Sequence, residues 1–393
     1  MSTALQQPKQ RIQSIDVLRG VVMLIMAIDH VRDFFHITAW TDSPTNLATT
    51  TPALFFTRWI THFCAPIFML LAGTSAYLIG QKKSKKELSS FLFKRGLWLV
   101  FVELVIMDFG WCFDIRFTSI MFQVIWILGV SMIFLALLIH LPKKIILLFS
   151  CLLIFGNNLL DHFHFENNIL WTFLHERKPF LTTENHVFRV VYPVIPWIAV
   201  MSLGYYFGSF YEKSYESSMR MKLFNIIGIS ALVLFFIGRI TNVYGDPLPW
   251  KSYSKLEQTL FSFFNVNKYP PSLLFLLITL GGAFVFLANT EKLKGKVVDF
   301  FCVFGRVPFF FYIIHIYLIH LLALLVAGFT HFGWQKMILP AMPFRVEALK
   351  GFGYSIIVVY LLWMLVIIAL YPLCKRFDAY KQNNKAKWWL SYL

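Results

Sequence analysis

The stretch SIDVLRGVVMLIMAIDHVRDFF, which runs from Ser14 to Phe35, decides the fold class. A membrane helix needs about 20 mostly apolar residues, and this stretch supplies them. It also carries an arginine near one end, Arg19, and a histidine near the other, His30. An ionisable side chain inside a membrane span is costly and normally faces protein or water. We therefore expect one face of this helix to look into a helical bundle.

The composition of the whole chain indicates a multi-pass membrane protein. Of the 393 residues, 58% are hydrophobic and only 14% are charged, whereas soluble domains carry about a quarter charged residues. We predict an all-α fold of ten transmembrane helices in one bundle. The predicted spans are 15–35, 55–80, 91–111, 119–140, 144–160, 188–211, 223–243, 271–290, 305–328 and 353–373.

Basic residues predict the orientation of these helices. The segment KKSKK at 82–86 follows the second span, and further basic segments follow the fourth, eighth and tenth spans. Lys and Arg collect on the cytoplasmic side of membrane proteins, so both termini are predicted to be cytoplasmic. The predicted domains are a tail at 1–14, one transmembrane domain at 15–373 and a second tail at 374–393.

The net charge of +16 has the same explanation, so no nucleic-acid partner is expected. The five cysteines are scattered without a CxxC pair, which indicates neither a metal cage nor a disulfide framework. His162 and His164 form an H-x-H pair in a loop that is predicted to lie on the extracytoplasmic side, called the far side below. Such a pair alone is a weak signal, and no metal is predicted.

The first span carries a stripe of ionisable side chains that suits acid–base chemistry. We call it the polar stripe. At about 100° per residue, the spacing between Arg19 and His30 places both side chains on one face, roughly 16 Å apart along the axis. Asp29 and Asp33 flank His30, and either would orient its ring. A neutral imidazole accepts a proton near neutral pH. The stripe would suit a coenzyme A thioester, with its phosphates at the arginine, but proton relays use similar stripes.

Other ionisable residues extend this hypothesis. Cations at the cytoplasmic start of the third span would bind the coenzyme's phosphates, or would simply obey the positive-inside rule. His315 in the ninth span is either a structural histidine or part of a coenzyme channel. The coenzyme-binding candidates are Arg19, Lys94, Arg95 and His315. The candidates for binding an acceptor at the far side are Arg32, Arg58, His62 and Tyr269.

Several segments resemble a known family. RIQSIDVLRGVVMLIMAIDHVRD at 11–33 and FFTRWITHFCAPIFMLLAGTSAYL at 55–78 look like the bacterial membrane family related to the catalytic domain of heparan-α-glucosaminide N-acetyltransferase. FNVNKYPPSLLFLLITLG at 264–281 and GRVPFFFYIIHIYLIH at 305–320 fit the same family. The spacing of Arg19 and His30 also resembles a signature of the wider transmembrane acyltransferase superfamily.

The resemblance implies an integral membrane acyltransferase. Such an enzyme would take an acyl group, in the first place acetyl, from cytosolic acyl-CoA and place it on an extracytoplasmic sugar amine or hydroxyl. The superfamily pattern assigns the chemistry to His30, whereas the lysosomal relative places a catalytic histidine in the following loop, which would be His36 here. We prefer His30 as the base, and a covalent acyl-histidine intermediate stays an alternative.

The expected partners follow from this function. They are acyl-CoA, a sugar or glycan acceptor and membrane lipids, and a homodimer stays open. A bacterial inner membrane is the expected location. The alternative function is a proton-coupled or sugar transporter without acyl chemistry, which would also explain ionisable groups inside the bundle.

Overall fold

The computed structural model describes residues 12–340 and 346–391. The protein is mostly helical, with 70% helix and 4% strand. The α-helices are α1 (Gln13–Phe35), α2 (Pro52–Ile60), α3 (Cys64–Gly80), α4 (Lys85–Phe101), α5 (Asp108–Cys112), α6 (Val124–Leu138), α7 (Lys143–Gly156), α8 (Ile169–Leu174), α9 (Val194–Gly208), α10 (Ser217–Thr241), α11 (Leu256–Phe264), α12 (Leu273–Thr290), α13 (Lys296–Arg306), α14 (Pro308–Gly328) and α15 (Ile356–Asn383). The strands are β1 (Ser119–Phe122), β2 (Pro179–Thr182) and β3 (Val187–Val190).

Short turns join some of these helices into longer rods. A 3-10 turn at Thr61–Phe63 connects α2 to α3, and a π-helix at Val102–Met107 connects α4 to α5. Within the described ranges, seven helical segments are long and apolar enough to cross a membrane. The protein is therefore a multi-pass membrane protein.

A helix lies in each of the ten predicted spans, but the number of true spans stays a prediction. Helix α1 carries too many charged residues to count among the seven apolar segments, and α6 is shorter than the others. The orientation of the termini is likewise a prediction. The N-terminal tail predicted at 1–14 falls largely on residues 1–11, which lie outside the described residues.

Two boundaries predicted from the sequence are wrong. The spans predicted at 119–140 and 188–211 begin with the strands β1 and β3 instead of helix. Strand β3 lies between β1, with which it pairs in parallel, and β2, with which it pairs antiparallel. The tail predicted at 374–393 stays a prediction, and its first part is helical because α15 continues to Asn383.

Helix α1 lies at the centre of the bundle, in contact with α3, α12, α13, α14 and α15. Its closest neighbour along the N-terminal half is α13. A Cβ atom at Gly20 would lie 1.9 Å from the carbonyl oxygen of Phe301, and one at Gly305 would lie 1.8 Å from that of Asp16. Small residues permit such close approach between membrane helices. The two glycines thereby fix α13 against the start of the polar stripe.

The outer helices differ from the inner ones in burial. The most apolar windows of Val194–Tyr211 and Leu273–Thr290 are 67% and 72% buried, whereas those of Ser217–Thr241 and Ile356–Asn383 are only 22% buried. Helices α9 and α12 therefore belong to the interior, and α10 and α15 present apolar side chains outward, as lipid-facing helices do.

A buried carboxylate holds the start of α6. The Oε2 atom of Glu103 accepts hydrogen bonds from the backbone N–H groups of Ile125 at 2.6 Å and Trp126 at 2.9 Å. These are among the amides that the first turn of a helix leaves without intrahelical partners. Glu103 therefore caps α6 from the π-helical segment, a structural role.

Candidate functional site

The N-terminal end of the polar stripe is held by hydrogen bonds. Arg19 donates from Nη1 to the carbonyl oxygen of Gly305 at 3.1 Å and from Nη2 to the hydroxyl of Ser75 at 2.9 Å. Its Nη1 also lies 3.4 Å from Asp16. Arg19 thus joins α1 to α3 and α13, and its side chain remains 18% exposed.

A cleft of about 380 Å³ opens at the same end, between α13 and α15. Its lining includes Arg306 and Lys375 together with the carboxylates Asp299 and Asp378. Arg306 lies 3.7 Å from Asp16, the aspartate that also contacts Arg19. The cleft is therefore connected to the stripe through a short chain of charged side chains.

The interior between the two ends of the stripe is packed. Met23, Met26 and Ala27 lie on the stripe and are 2%, 6% and 0% exposed. Methionine side chains are unbranched and adapt readily to a change in their surroundings. In this conformation the middle of the stripe is filled by side chains.

At the far end of the stripe, two histidine rings are in direct contact. The Nδ1 atom of His30 lies 2.7 Å from Nε2 of His315, a residue of α14. The Nδ1 atom of His315 lies 2.9 Å from the carbonyl oxygen of Phe311. A carbonyl oxygen only accepts, so Nδ1 of His315 carries a proton, and in the neutral ring its Nε2 is an acceptor. His30 then donates from Nδ1 to His315, which leaves Nε2 of His30 as a proton acceptor.

Aromatic rings surround this histidine pair. The rings of Trp111 and Tyr312 meet the His30 ring edge to face, at centroid distances of 4.9 and 6.3 Å. Phe311 stacks on His315 at 5.0 Å. His315 is completely buried, while His30 is partly accessible. The free nitrogen of His30 is therefore the accessible end of an otherwise enclosed pair.

The aspartates beside His30 pair with arginines. Arg32 lies 2.9 Å from Asp29 and also contacts Asp33. Arg58, from α2, forms a second ion pair with Asp29. The hydrogen bond to the His30 ring comes from His315 rather than from Asp29 or Asp33. The two carboxylates instead pair with Arg32, which is buried, and Arg58, which is 16% exposed.

Tyr269 closes this network from the loop before α12. It lies in hydrogen-bonding contact with Arg58, and its hydroxyl is 3.3 Å from that of Tyr192. The Arg177 guanidinium lies 4.3 Å from its ring centroid, and the Lys268 ammonium lies 5.3 Å from it. Burial alone would raise the pKa of the Tyr269 phenol, but the charges of Lys268, Arg58 and Arg177 lower it to about 7.

His36, the alternative base, is differently engaged. Its Nδ1 accepts the backbone N–H of Thr38 at 3.3 Å and lies 2.9 Å from the Thr38 hydroxyl. In the neutral ring the proton therefore sits on Nε2, so the lone pair is already used. Burial and the nearby Arg32 charge lower the pKa of His36 below its usual range.

His62 lies near the same charged network on the 3-10 turn between α2 and α3. It is 5% exposed, packs 5.4 Å from the Phe275 ring, and has no hydrogen-bond partner on Nδ1 among the described residues. The structure therefore brings together seven predicted residues at the far end. They are Asp29, His30, Arg32, Asp33, Arg58, His62 and Tyr269.

The predicted coenzyme ligands are more dispersed. Lys94 is exposed on α4 beside the outward-facing Phe93, and Arg95 is half-buried on the same helix. His315 lies at His30 rather than near Arg19.

Histidines of the 161–187 loop pair with carboxylates. His175 lies 2.9 Å from Asp161, and His164 lies 3.1 Å from Glu176. Within the described ranges, no three residues of the His, Cys, Asp and Glu types are arranged to hold a metal ion.

Residues 11–244 match the model of a protein family described as heparan-alpha-glucosaminide N-acetyltransferase, catalytic. The chain belongs to this family. No curated protein matches the chain. Membership of the heparan-alpha-glucosaminide N-acetyltransferase catalytic family makes the protein a membrane acyltransferase in the general sense, and the matched range contains Arg19, His30 and Arg58.

Several residues at the site were missed from the sequence. Lys268 precedes the predicted Tyr269, Arg177 lies in the loop between the fifth and sixth predicted spans, and Tyr192 was assigned to the sixth span. All three lie far in sequence from α1, so neither periodicity nor spacing could connect them to His30. The richness of the 161–187 and 244–270 loops in aromatic and ionisable residues was the available signal.

Proposed function

We propose that the protein transfers an acyl group, in the first place acetyl, from cytosolic acyl-CoA to an amine or hydroxyl of a sugar on the other side of the membrane. A bacterial inner membrane is the proposed location. The observation that carries the proposal is the contact between His30 and His315, 2.7 Å long, which leaves Nε2 of His30 as a free proton acceptor.

In the proposed mechanism His30 acts as the general base. Its Nε2 removes a proton from the acceptor amine or hydroxyl as that group attacks the thioester carbonyl, and the coenzyme thiolate leaves. His315 holds the ring in the required tautomer, as the third member of a catalytic triad does. The buried Phe311 carbonyl fixes His315 in turn. His36 is the weaker candidate because its acceptor nitrogen is already hydrogen-bonded.

The donor would enter from the end at which Arg19 lies. The charged cleft beside it contains Arg306 and Lys375, which suit the coenzyme's phosphates. Because Met23 and Met26 fill the middle of the stripe, the pantetheine arm would have to displace them. The exposed Lys94 would contribute only to the initial approach of the coenzyme.

The test is release of free thiol. Purified protein with acetyl-CoA and a panel of amino sugars and neutral sugars is expected to release coenzyme A thiol in an acceptor-dependent way. A silent panel together with sugar uptake into proteoliposomes would instead establish the transporter alternative. The Arg306→Glu variant is expected to weaken coenzyme binding at least tenfold, since it reverses a charge in the cleft, and unchanged binding would remove the cleft from the donor site.

A further inference from the structure

Lys268 brings a positive charge into the far end of the bundle without a contacting counter-ion. The residue is only 9% exposed. Among the described residues, no carboxylate oxygen lies within 4.0 Å of its ammonium group. Burying a charge is costly unless it is paired.

The neighbouring ion pairs do not balance Lys268. Arg32 and Arg58 are matched by Asp29 and Asp33, which leaves no carboxylate of this network over. The Tyr269 phenolate, when it forms, balances only one of the two cations beside its ring, Lys268 and Arg177. One positive charge therefore remains in excess at this end of the bundle.

The position of Lys268 places this excess charge at the proposed active site. Its charge acts on Asp29, His30 and His62, so the ammonium group lies within electrostatic range of the proposed base. A negatively charged group that entered here would remove an unpaired buried charge.

Arg177 extends the positive charge towards the surface. It is exposed, and its guanidinium lies over the Tyr269 ring, to which Lys268 is also close. The two cations thus form an outer and an inner position around one aromatic ring. Arg177 offers the planar fork that suits phosphate, sulfate and carboxylate groups, and Lys268 offers a point charge.

We propose that Lys268 and Arg177 bind an anionic group, a phosphate, sulfate or carboxylate, that belongs to the acceptor sugar. The amine or hydroxyl of the same sugar then faces Nε2 of His30. This inference rests on the proposed acyl transfer and names the class of its acceptor. Arg177 lies within residues 11–244, the part of the chain that the family model covers, and Lys268 lies outside that part.

The first experiment measures binding alone, so that it does not depend on turnover. Thermal unfolding of the full chain in neutral detergent is followed with glucosamine, glucosamine 6-phosphate and glucosamine 6-sulfate. We expect the two anionic sugars to stabilise the protein at concentrations about tenfold lower than glucosamine. Equal effects of all three would overturn the proposal. If phosphatidylglycerol vesicles stabilise the protein as much as the anionic sugars do, the site binds a lipid phosphate. That result would overturn the proposal that the anion belongs to the acceptor sugar.

The second experiment compares variants. Lys268→Met is expected to lower kcat/KM for the anionic sugar by about tenfold to a hundredfold, the usual range for loss of a hydrogen bond to a charged group. The loss for glucosamine, which carries no anionic group, should be much smaller. Lys251→Met, in the same loop but exposed, is the matched control and should leave the preference for the anionic sugar as it is.

Two outcomes separate this inference from the proposed function. If Lys268→Met lowers kcat equally for the anionic sugars and for glucosamine, Lys268 stabilises charge in the transition state and the anion site is overturned. If no acceptor releases thiol but anionic sugars still stabilise the wild type and not Lys268→Met, the anion site stands and the acyl transfer fails.

Discussion

A single hydrogen bond between two histidine rings determines which nitrogen of His30 can accept a proton. Replacing His30 by Ala is expected to lower kcat by about a hundredfold to ten-thousandfold, the usual contribution of a general base. Coenzyme affinity should change little, because the proposed phosphate contacts are at the other end of the stripe. Thiol release and equilibrium binding of the coenzyme measure the two effects. A His36→Ala variant that is inactive, beside an active His30→Ala, would move the base to the loop.

His315 is a positioning residue, which permits a sharper test. His315→Leu removes the acceptor for Nδ1 of His30 and should lower kcat almost as much as His30→Ala. His315→Gln retains an acceptor oxygen and should recover part of the rate. The double variant with His30→Ala should be no slower than His30→Ala alone, because residues that act as a unit are not additive. Equal rates for the Leu and Gln variants would indicate a packing role only.

Tyr269 should titrate near neutral pH. Its pKa is lowered to about 7, against burial, by Lys268, Arg58 and Arg177. The phenol is protonated below that pH and becomes phenolate above it, whereas an ordinary tyrosine ionises near pH 10. Ultraviolet difference absorbance between wild type and Tyr269→Phe should therefore show one phenolate forming around neutrality. Lys268→Met removes a stabilising charge and should move this titration upward; an unshifted curve would mean that Lys268 is not near the ring.

At the scale of the elements, one buried arginine organises the loop that carries Tyr269. Arg239 of α10 is 1% exposed and donates to four carbonyl oxygens, at 2.6–3.1 Å. These belong to residues between 248 and 265, and they include both ends of the loop around α11. The arrangement at Tyr269 therefore depends on a side chain from a lipid-facing helix.

Replacing Arg239 by Met should unfold this loop. The substitution removes the donor from four carbonyl groups, of which that of Ser262 is buried and the others are partly buried. A buried acceptor left without a donor costs on the order of 1–3 kcal/mol. We expect the free energy of unfolding to fall by at least about 3 kcal/mol. The effect should be visible as a lower apparent unfolding temperature and as faster proteolysis between residues 244 and 270. Arg116→Met is the control, because that side chain is 82% exposed and should have little effect. Equal behaviour of the two variants would contradict the role given to Arg239.

The sequence predicted the helices better than the site. Long apolar segments identified a helix in each of the ten expected places because burial in lipid imposes continuous hydropathy. The strands at Ser119–Phe122 and Val187–Val190 were missed because they are four residues long and continue directly into apolar segments. The pairing of His30 with His315 joins residues 285 positions apart, so only the folded chain could reveal it.

At the scale of the whole molecule, the proposed transfer requires the loops that contain Ser43 and Ser254 to face the outside of the cell. An impermeant thiol reagent should label Ser43→Cys and Ser254→Cys from outside intact cells, because both positions are exposed on those loops. Lys82→Cys, at the exposed turn before α4, should react only after permeabilisation. The reverse pattern would invert the orientation and exclude transfer in the proposed direction.

The side chains that fill the middle of the first helix's stripe have an electrical consequence. A continuous water-filled passage from Arg19 to His30 would let protons run down the membrane potential through a line of ionisable groups. Met23, Met26 and Ala27 interrupt that line with apolar atoms that are almost completely buried. The bundle can thus keep reactive groups at both ends of the stripe without conducting protons. An acyl chain that passed through would displace the methionines, and its own apolar atoms would then block proton flow in their place.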